Sequence, residues 1–290
     1  MTTIDKRLAR FGLSFHPFTL AVPTAACQVT PAMAHLIGRC DHLIASGGFA
    51  VISGDSGTGK STLLRLLHAR LGERTDLVTG VLTRPQAKIA DFYRELGALF
   101  GVSLAPHNRW AGAQVLRERW QAHWGTSHQR PVLIIDEAQE MQVTVLSELR
   151  LLATAELDAV ALLSVVLAGD ARLNELLQAR ELMPLASRIR IHHRTAAATI
   201  TELAQLLEHL LTRAGNPSLM TDGLKHSLVE HACGNRRSLV HLADQLLDAA
   251  LEDPACATID ESLFARVMRA PVTGAGAGAG AGTARARKAL

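Results

Sequence analysis

Over its first two thirds the chain alternates short apolar runs with amphipathic stretches. Gly48–Ser53, residues 77–82, 131–135 and 162–168 are short enough and apolar enough to be strands. The third, Pro131-Val132-Leu133-Ile134-Ile135, is apolar at every position, which predicts cover on both faces, as in a parallel sheet. Between these runs the period lengthens. Met33, Leu36, Ile37, Cys40, Leu43 and Ile44 predict a helix over 31–46, stopped by Gly47-Gly48. Further helices are predicted over 62–71, over 91–100, through Val115, Leu116, Trp120 and Trp124, and over 143–152. Strand and helix in alternation predict a doubly wound α/β sheet with its ligand at the carboxyl ends of the strands.

From Thr199 onward only the helical period remains. Thr199-Ile200-Thr201-Glu202 and Thr258-Ile259-Asp260-Glu261 fit capping boxes, and Gly215 and Gly234 fall where helices end, giving about four helices up to Arg269. Upstream, Phe11, Phe15 and Phe18 lie in a segment broken by Gly12 and Pro17, which reads as ordered, irregular and core-forming. The expected organisation is an irregular segment over 1–30, a nucleotide-binding α/β domain over 31–197, a small all-helical lid over 198–270, and a disordered tail over 271–290. In that tail Gly and Ala alternate before Arg285, Arg287 and Lys288, so it has nothing to bury.

The first strand and the helix after it frame Gly54-Asp55-Ser56-Gly57-Thr58-Gly59-Lys60-Ser61, which fits G-x-x-x-x-G-K-[ST]. Its glycines let main-chain N–H groups turn around the β- and γ-phosphates of a nucleotide, and the following helix, through Thr62, aims its positive end at them. Lys60 adds a cation; Ser61 offers a hydroxyl to Mg²⁺. The apolar strand 131–135 ends in Asp136 and Glu137. Asp136 is then the carboxylate that helps hold Mg²⁺, and Glu137 the one that polarises an attacking water.

Composition narrows the field. Nearly half of the 290 residues are apolar (48 %) while aromatics are 4 %, which favours helices beside a modest sheet. The net charge of +3 permits a polyanionic partner without arguing for one. Cys27, Cys40, Cys233 and Cys256 show no metal-ligand spacing, and the 13 histidines none either. There is no secretory signal and no run of about 18 apolar residues, so a soluble, cytoplasmic protein without a membrane partner is expected.

The nucleotide loop, Ile134-Ile135-Asp136-Glu137-Ala138-Gln139 and the later Gly234-Asn235-Arg236-Arg237 together resemble the AAA+ ATPases over residues 11–269. The likeness is to the branch holding the transposition ATPases (IstB, TnsC, TniB and MuB) and the ExeA-like secretion ATPases; Phe11-Gly12 through Pro17-Phe18 is similar to the opening of its members. The resemblance implies a P-loop NTPase fold and ATP with Mg²⁺ as ligands. It implies Arg237 as the lid arginine reaching the γ-phosphate of its own subunit, and Arg188 as the finger reaching a neighbour's nucleotide, with Arg190 second. It also implies a polar residue after the fourth strand to orient water; here that region reads Leu167-Ala168-Gly169-Asp170, so Asp170 is the candidate and hydrolysis is expected to be slow. A finger acting in trans requires a homo-oligomer, ring or filament. The implied role is an ATPase that assembles on duplex DNA, sequence-independently, and recruits or activates a transposase. Arg84, Lys88, His107, Asn108 and Arg109 are the candidate phosphate-backbone contacts. The alternatives are an ExeA-like ATPase energising cell-envelope assembly, whose members usually carry a membrane-spanning helix and wall-binding region after the lid, and a slow nucleotide-switch scaffold.

Overall fold

The computed structural model describes residues 8–104, 109–155, 160–253 and 256–269. The tail expected at 271–290 lies outside them, as do His107 and Asn108. After an irregular opening with a single 3-10 turn at Thr24–Ala26, the elements run α1 (Pro31–Ser46), β1 (Gly48–Ser53), α2 (Lys60–Gly72), β2 (Leu77–Leu82), α3 (Ile89–Leu99), α4 (Arg109–Ser127) and β3 (Arg130–Ile135). Then follow α5 (Val143–Ala153), a ribbon of β4 (Thr154–Ala155) and β5 (Val160–Ala161), β6 (Ser164–Gly169), α6 (Ala171–Leu177), α7 (Met183–Ala186) and β7 (Ile189–Arg194). The chain closes with α8 (Ile200–Ala214), α9 (Asp222–His231), α10 (Arg236–Glu252) and α11 (Glu261–Arg269).

The main sheet is parallel throughout, in the order β2-β3-β6-β1-β7. Inward side chains on one face, among them Ile52, Ile134 and Val166, pack on α1 and α2; those on the other, among them Val51, Leu133 and Val165, pack on α3, α4, α5 and α6. Cover on both faces is why β3 tolerates five consecutive buried residues. The chain travels from β1 out to β2 and β3, then returns through β6 to lie beside β1. The loops leaving β1, β3 and β6 therefore open along one carboxyl edge, and Gly54 N–H donates to Gly169 O at 3.2 Å across it.

A separate core joins α8 to α11 with the N-terminal segment: Leu8, Phe11, Leu13, Phe18 and Val22 pack against Leu207, Leu211, Leu246 and their neighbours. Arg65 of α2 anchors the same segment to the α/β layer, donating to Val22 O at 2.5 Å and Leu20 O at 3.4 Å.

Several expectations shift. The fourth strand begins at Ser164, not 162, because Leu162 and Leu163 N–H groups both turn to Ala153 O behind the ribbon. β7 has no counterpart in the sequence reading; it is a polar edge strand. The box at Thr199 forms in both directions, with Glu202 N–H donating to Thr199 Oγ1 and Thr199 N–H to Glu202 Oε2. At the second proposed box, by contrast, Asp260 Oδ1 accepts from Leu263 N–H at 2.9 Å, and Glu261 turns away to accept from Thr221 Oγ1. Asp260 lies nearer the helix and its carboxylate displaces Thr258 from the cap.

Candidate active site

The loop between β1 and α2 is held from three sides. Thr58 Oγ1 shares a hydrogen with Thr195 Oγ1 at 2.7 Å, tying it to the end of β7. Asn235 Nδ2 donates to Ser56 O at 3.0 Å and Arg236 N–H to Gly57 O at 3.0 Å, tying it to the start of α10. Gly57 has φ 81, and a Cβ there would overlap Asn235 Oδ1, so the close approach of loop and helix requires glycine. Lys60 is 7 % exposed; its Nζ donates to Gly54 O at 2.8 Å and Asp55 O at 2.9 Å, bracing the loop from inside.

Ser61 Oγ donates to Asp136 Oδ2 at 2.8 Å, so the first turn of α2 meets the end of β3. A hydroxyl and a carboxylate in contact form an oxygen donor set that suits a hard divalent cation such as Mg²⁺. Among the described residues no group of three or more His, Cys, Asp or Glu could hold a metal by itself, so these two would share the ion with phosphate and water. Glu137 adopts a left-handed backbone, φ 52 and ψ 40, which sends its side chain out of the sheet into the cleft.

Asp170 caps α6, accepting from Arg172 N–H and Arg172 Nε, each at 2.9 Å; Arg172 also donates to Glu140 Oε1 at 2.8 Å. The hydrogen bonds from Arg172 hold the Asp170 carboxyl below the usual carboxylate range. A carboxylate beside a phosphate site thus stands already paired with a cation. Arg237 Nη1 donates to Ser56 Oγ at 2.9 Å, and Arg236 Nη1 to Thr58 O at 3.1 Å.

These residues line a cleft of about 660 Å³ between the sheet edge and the helical core. Lys60, Ser61, Glu137, Asp170, Arg172 and Arg237 line it together with the apolar Pro17, Val22, Met33, Leu206 and Leu210. A cleft that offers charged groups for phosphates and apolar surface for a base fits a nucleotide.

The sequence-predicted residues Gly54, Asp55, Ser56, Gly57, Thr58, Gly59, Lys60, Ser61, Thr62, Asp136, Glu137, Asp170 and Arg237 all lie in or around this cleft. Arg188 does not. It precedes β7, its carbonyl accepting from Phe49 N–H at the start of β1, so about 16 Å of strand separates it from the loop after β1. Arg84 and Lys88 are exposed on the turn between β2 and α3, Arg109 opens α4, and Asn108 lies outside the described residues. The sequence assigns no individual role to Arg172, Asn235, Arg236 or Gln139: Asn235 and Arg236 bond main-chain carbonyls of the loop, and Arg172 and Gln139 meet groups that converge only on folding.

A family model described as AAA domain matches residues 44–177. The chain is 33 % identical over 187 residues to general secretion pathway protein A of Aeromonas hydrophila, a match covering 62 % of this chain and 32 % of that protein. The chain thus spans about one third of the length of this curated relative. Among solved structures, Cdc6p of Pyrobaculum aerophilum superposes with a TM-score of 0.67 at 15 % identity, covering 84 % of this chain and 67 % of that one. The ORC1 protein of Aeropyrum pernix, solved in complex with DNA, gives 0.65 at 16 %, covering 85 % and 67 %. Residues 44–177 accordingly resemble an AAA domain, and the chain as a whole shares the fold of these AAA+ P-loop NTPase structures, a parallel α/β sheet followed by a helical region.

Proposed function

We propose that the chain binds ATP with Mg²⁺ in this cleft and hydrolyses it, slowly and in an assembled state. The observation that carries this reading is the meeting of Lys60, the Ser61–Asp136 pair, Glu137 and Arg237 around one nucleotide-sized cleft. The loop amides and Lys60 bind the β- and γ-phosphates, and Ser61 and Asp136 bind the cation. Bound Mg²⁺ withdraws charge from the phosphate oxygens. Glu137 takes a proton from the attacking water, and Arg237 moves from Ser56 Oγ to the γ-phosphate. Calorimetry and phosphate release test the assignment together. Lys60→Ala is expected to weaken Mg-ATP binding about 100-fold, since a buried, hydrogen-bonded charge is lost. Glu137→Gln is expected to bind normally and to lower turnover about 100-fold or more. Normal turnover in Glu137→Gln removes Glu137 from the mechanism.

For the cellular setting, the reading argued from resemblance is a regulator that assembles on duplex DNA and recruits or activates a transposase. The exposed Arg84 and Lys88 and the fold shared with a DNA-bound ORC1 support the DNA part. A specific observation favours a second reading: the relative named for general secretion supports the ExeA-like alternative. Sedimentation with ATP, with and without duplex DNA, separates the two. DNA-dependent assembly that weakens steeply with salt is expected of the first; assembly indifferent to DNA at low salt moves the assignment to the second.

A further inference from the structure

One neutral side chain spans the gap between the carboxylates ending β3 and the turn ending β6. Gln139 Nε2 donates to Glu137 Oε2 at 2.5 Å, and Gln139 Oε1 accepts from Asp170 N–H at 3.2 Å. Both ends of the amide are committed, and its orientation follows from its partners: only the NH₂ can meet a carboxylate, and only the oxygen a backbone N–H. Room for it comes from Gly169, where a Cβ would overlap Gln139 Oε1. Asp170 cannot do this itself, because its carboxylate faces Arg172. What reaches Glu137 from the end of β6 is the Asp170 N–H, relayed through the Gln139 amide.

We infer that Gln139 is the positioning residue of the hydrolytic reaction, fixing the Glu137 carboxylate relative to the end of β6. The inference rests on the ATPase reading above. Gln139 occupies Glu137 Oε2 and leaves Oε1 for the water. As the water oxygen bonds the γ-phosphorus, the bond from phosphorus to the β–γ bridging oxygen breaks and ADP leaves with that electron pair. The water's proton passes to Oε1 and from there to solvent.

The test compares Gln139→Ala with Gly169→Ala, which leaves Gln139 in the chain but fills its seat. For each, calorimetry gives the Kd for Mg-ATP, and phosphate release gives kcat. Expected in both variants are a Kd within about twofold of wild type and a kcat lowered about 10- to 100-fold. Should either variant fail to fold, the other carries the same prediction. Wild-type kcat in a folded variant overturns the inference, as does a loss confined to Kd. A wild-type chain that binds Mg-ATP and never turns it over overturns the ATPase reading and this role with it; turnover in the wild type matched by Gln139→Ala overturns this role alone.

Discussion

At Gly57 a single missing Cβ decides whether loop and lid can touch. The residue has φ 81, and the side-chain amide of Asn235 fills the space a methyl group would take. Gly57→Ala therefore incurs both a left-handed backbone penalty of about 1 to 2 kcal/mol and the loss of the Asn235 and Arg236 hydrogen bonds to the loop. The expected outcome is a folded protein with a lower melting temperature and Mg-ATP affinity reduced at least as far as in Lys60→Ala; calorimetry showing wild-type affinity would refute the argument. The same contacts explain which site residues are readable in advance. Gly54, Lys60, Ser61 and Asp136 are fixed in type by phosphate and cation chemistry, so their spacing alone exposes them. Arg236 hydrogen-bonds main-chain carbonyls, which any donor of suitable length can do, and Arg172 answers two carboxylates that converge only on folding. Neither contact leaves a pattern in the chain.

Among the elements, legibility follows burial. β3 is covered on both faces and reads as an unbroken apolar run, whereas β7, Ile-Arg-Ile-His-His-Arg, is an edge strand whose polar positions mask two core isoleucines. The β4–β5 ribbon, two residues to a strand, is too short to have a period. The edge strand also carries a titration. Burial, and secondarily the charge of Arg39, pushes the His193 imidazole below its ordinary value of 6.5. As pH falls through about 6.5 the unfolded chain takes up this proton before the folded one does, so stability declines there and levels off once pH is below the folded value. The urea midpoint of the wild type is expected to drop more between pH 7.5 and pH 5.5 than that of His193→Gln. Parallel midpoints for the two proteins would show that His193 is not desolvated in β7.

In the molecule as a whole, two cores flank the cleft, and the N-terminal segment belongs to the helical one while Arg65 ties it to the sheet layer. Nucleotide held between them can thus govern how the helical region sits on the sheet. One cation the chemistry asks for is absent from this arrangement. Arg188 precedes β7, at the end of the sheet opposite the loop after β1, and the chain cannot fold it onto its own nucleotide. If it acts, it acts on a neighbouring copy, and a finger supplied in trans is worth about 10³ to 10⁵ in rate. Arg188→Ala is then expected to keep wild-type Mg-ATP affinity and to lose hydrolysis in the assembled state. Lys60→Ala should lose hydrolysis by failing to bind. Mixed in equal amounts, the two variants form interfaces where an intact Lys60 pocket meets an intact Arg188, and phosphate release should reappear, rising with total concentration as assembly does. Two inactive proteins that stay inactive together, while sedimentation shows that they co-assemble, would take Arg188 out of the reaction and leave the charge of the transferring phosphoryl group to Arg237 and Lys60 within one chain.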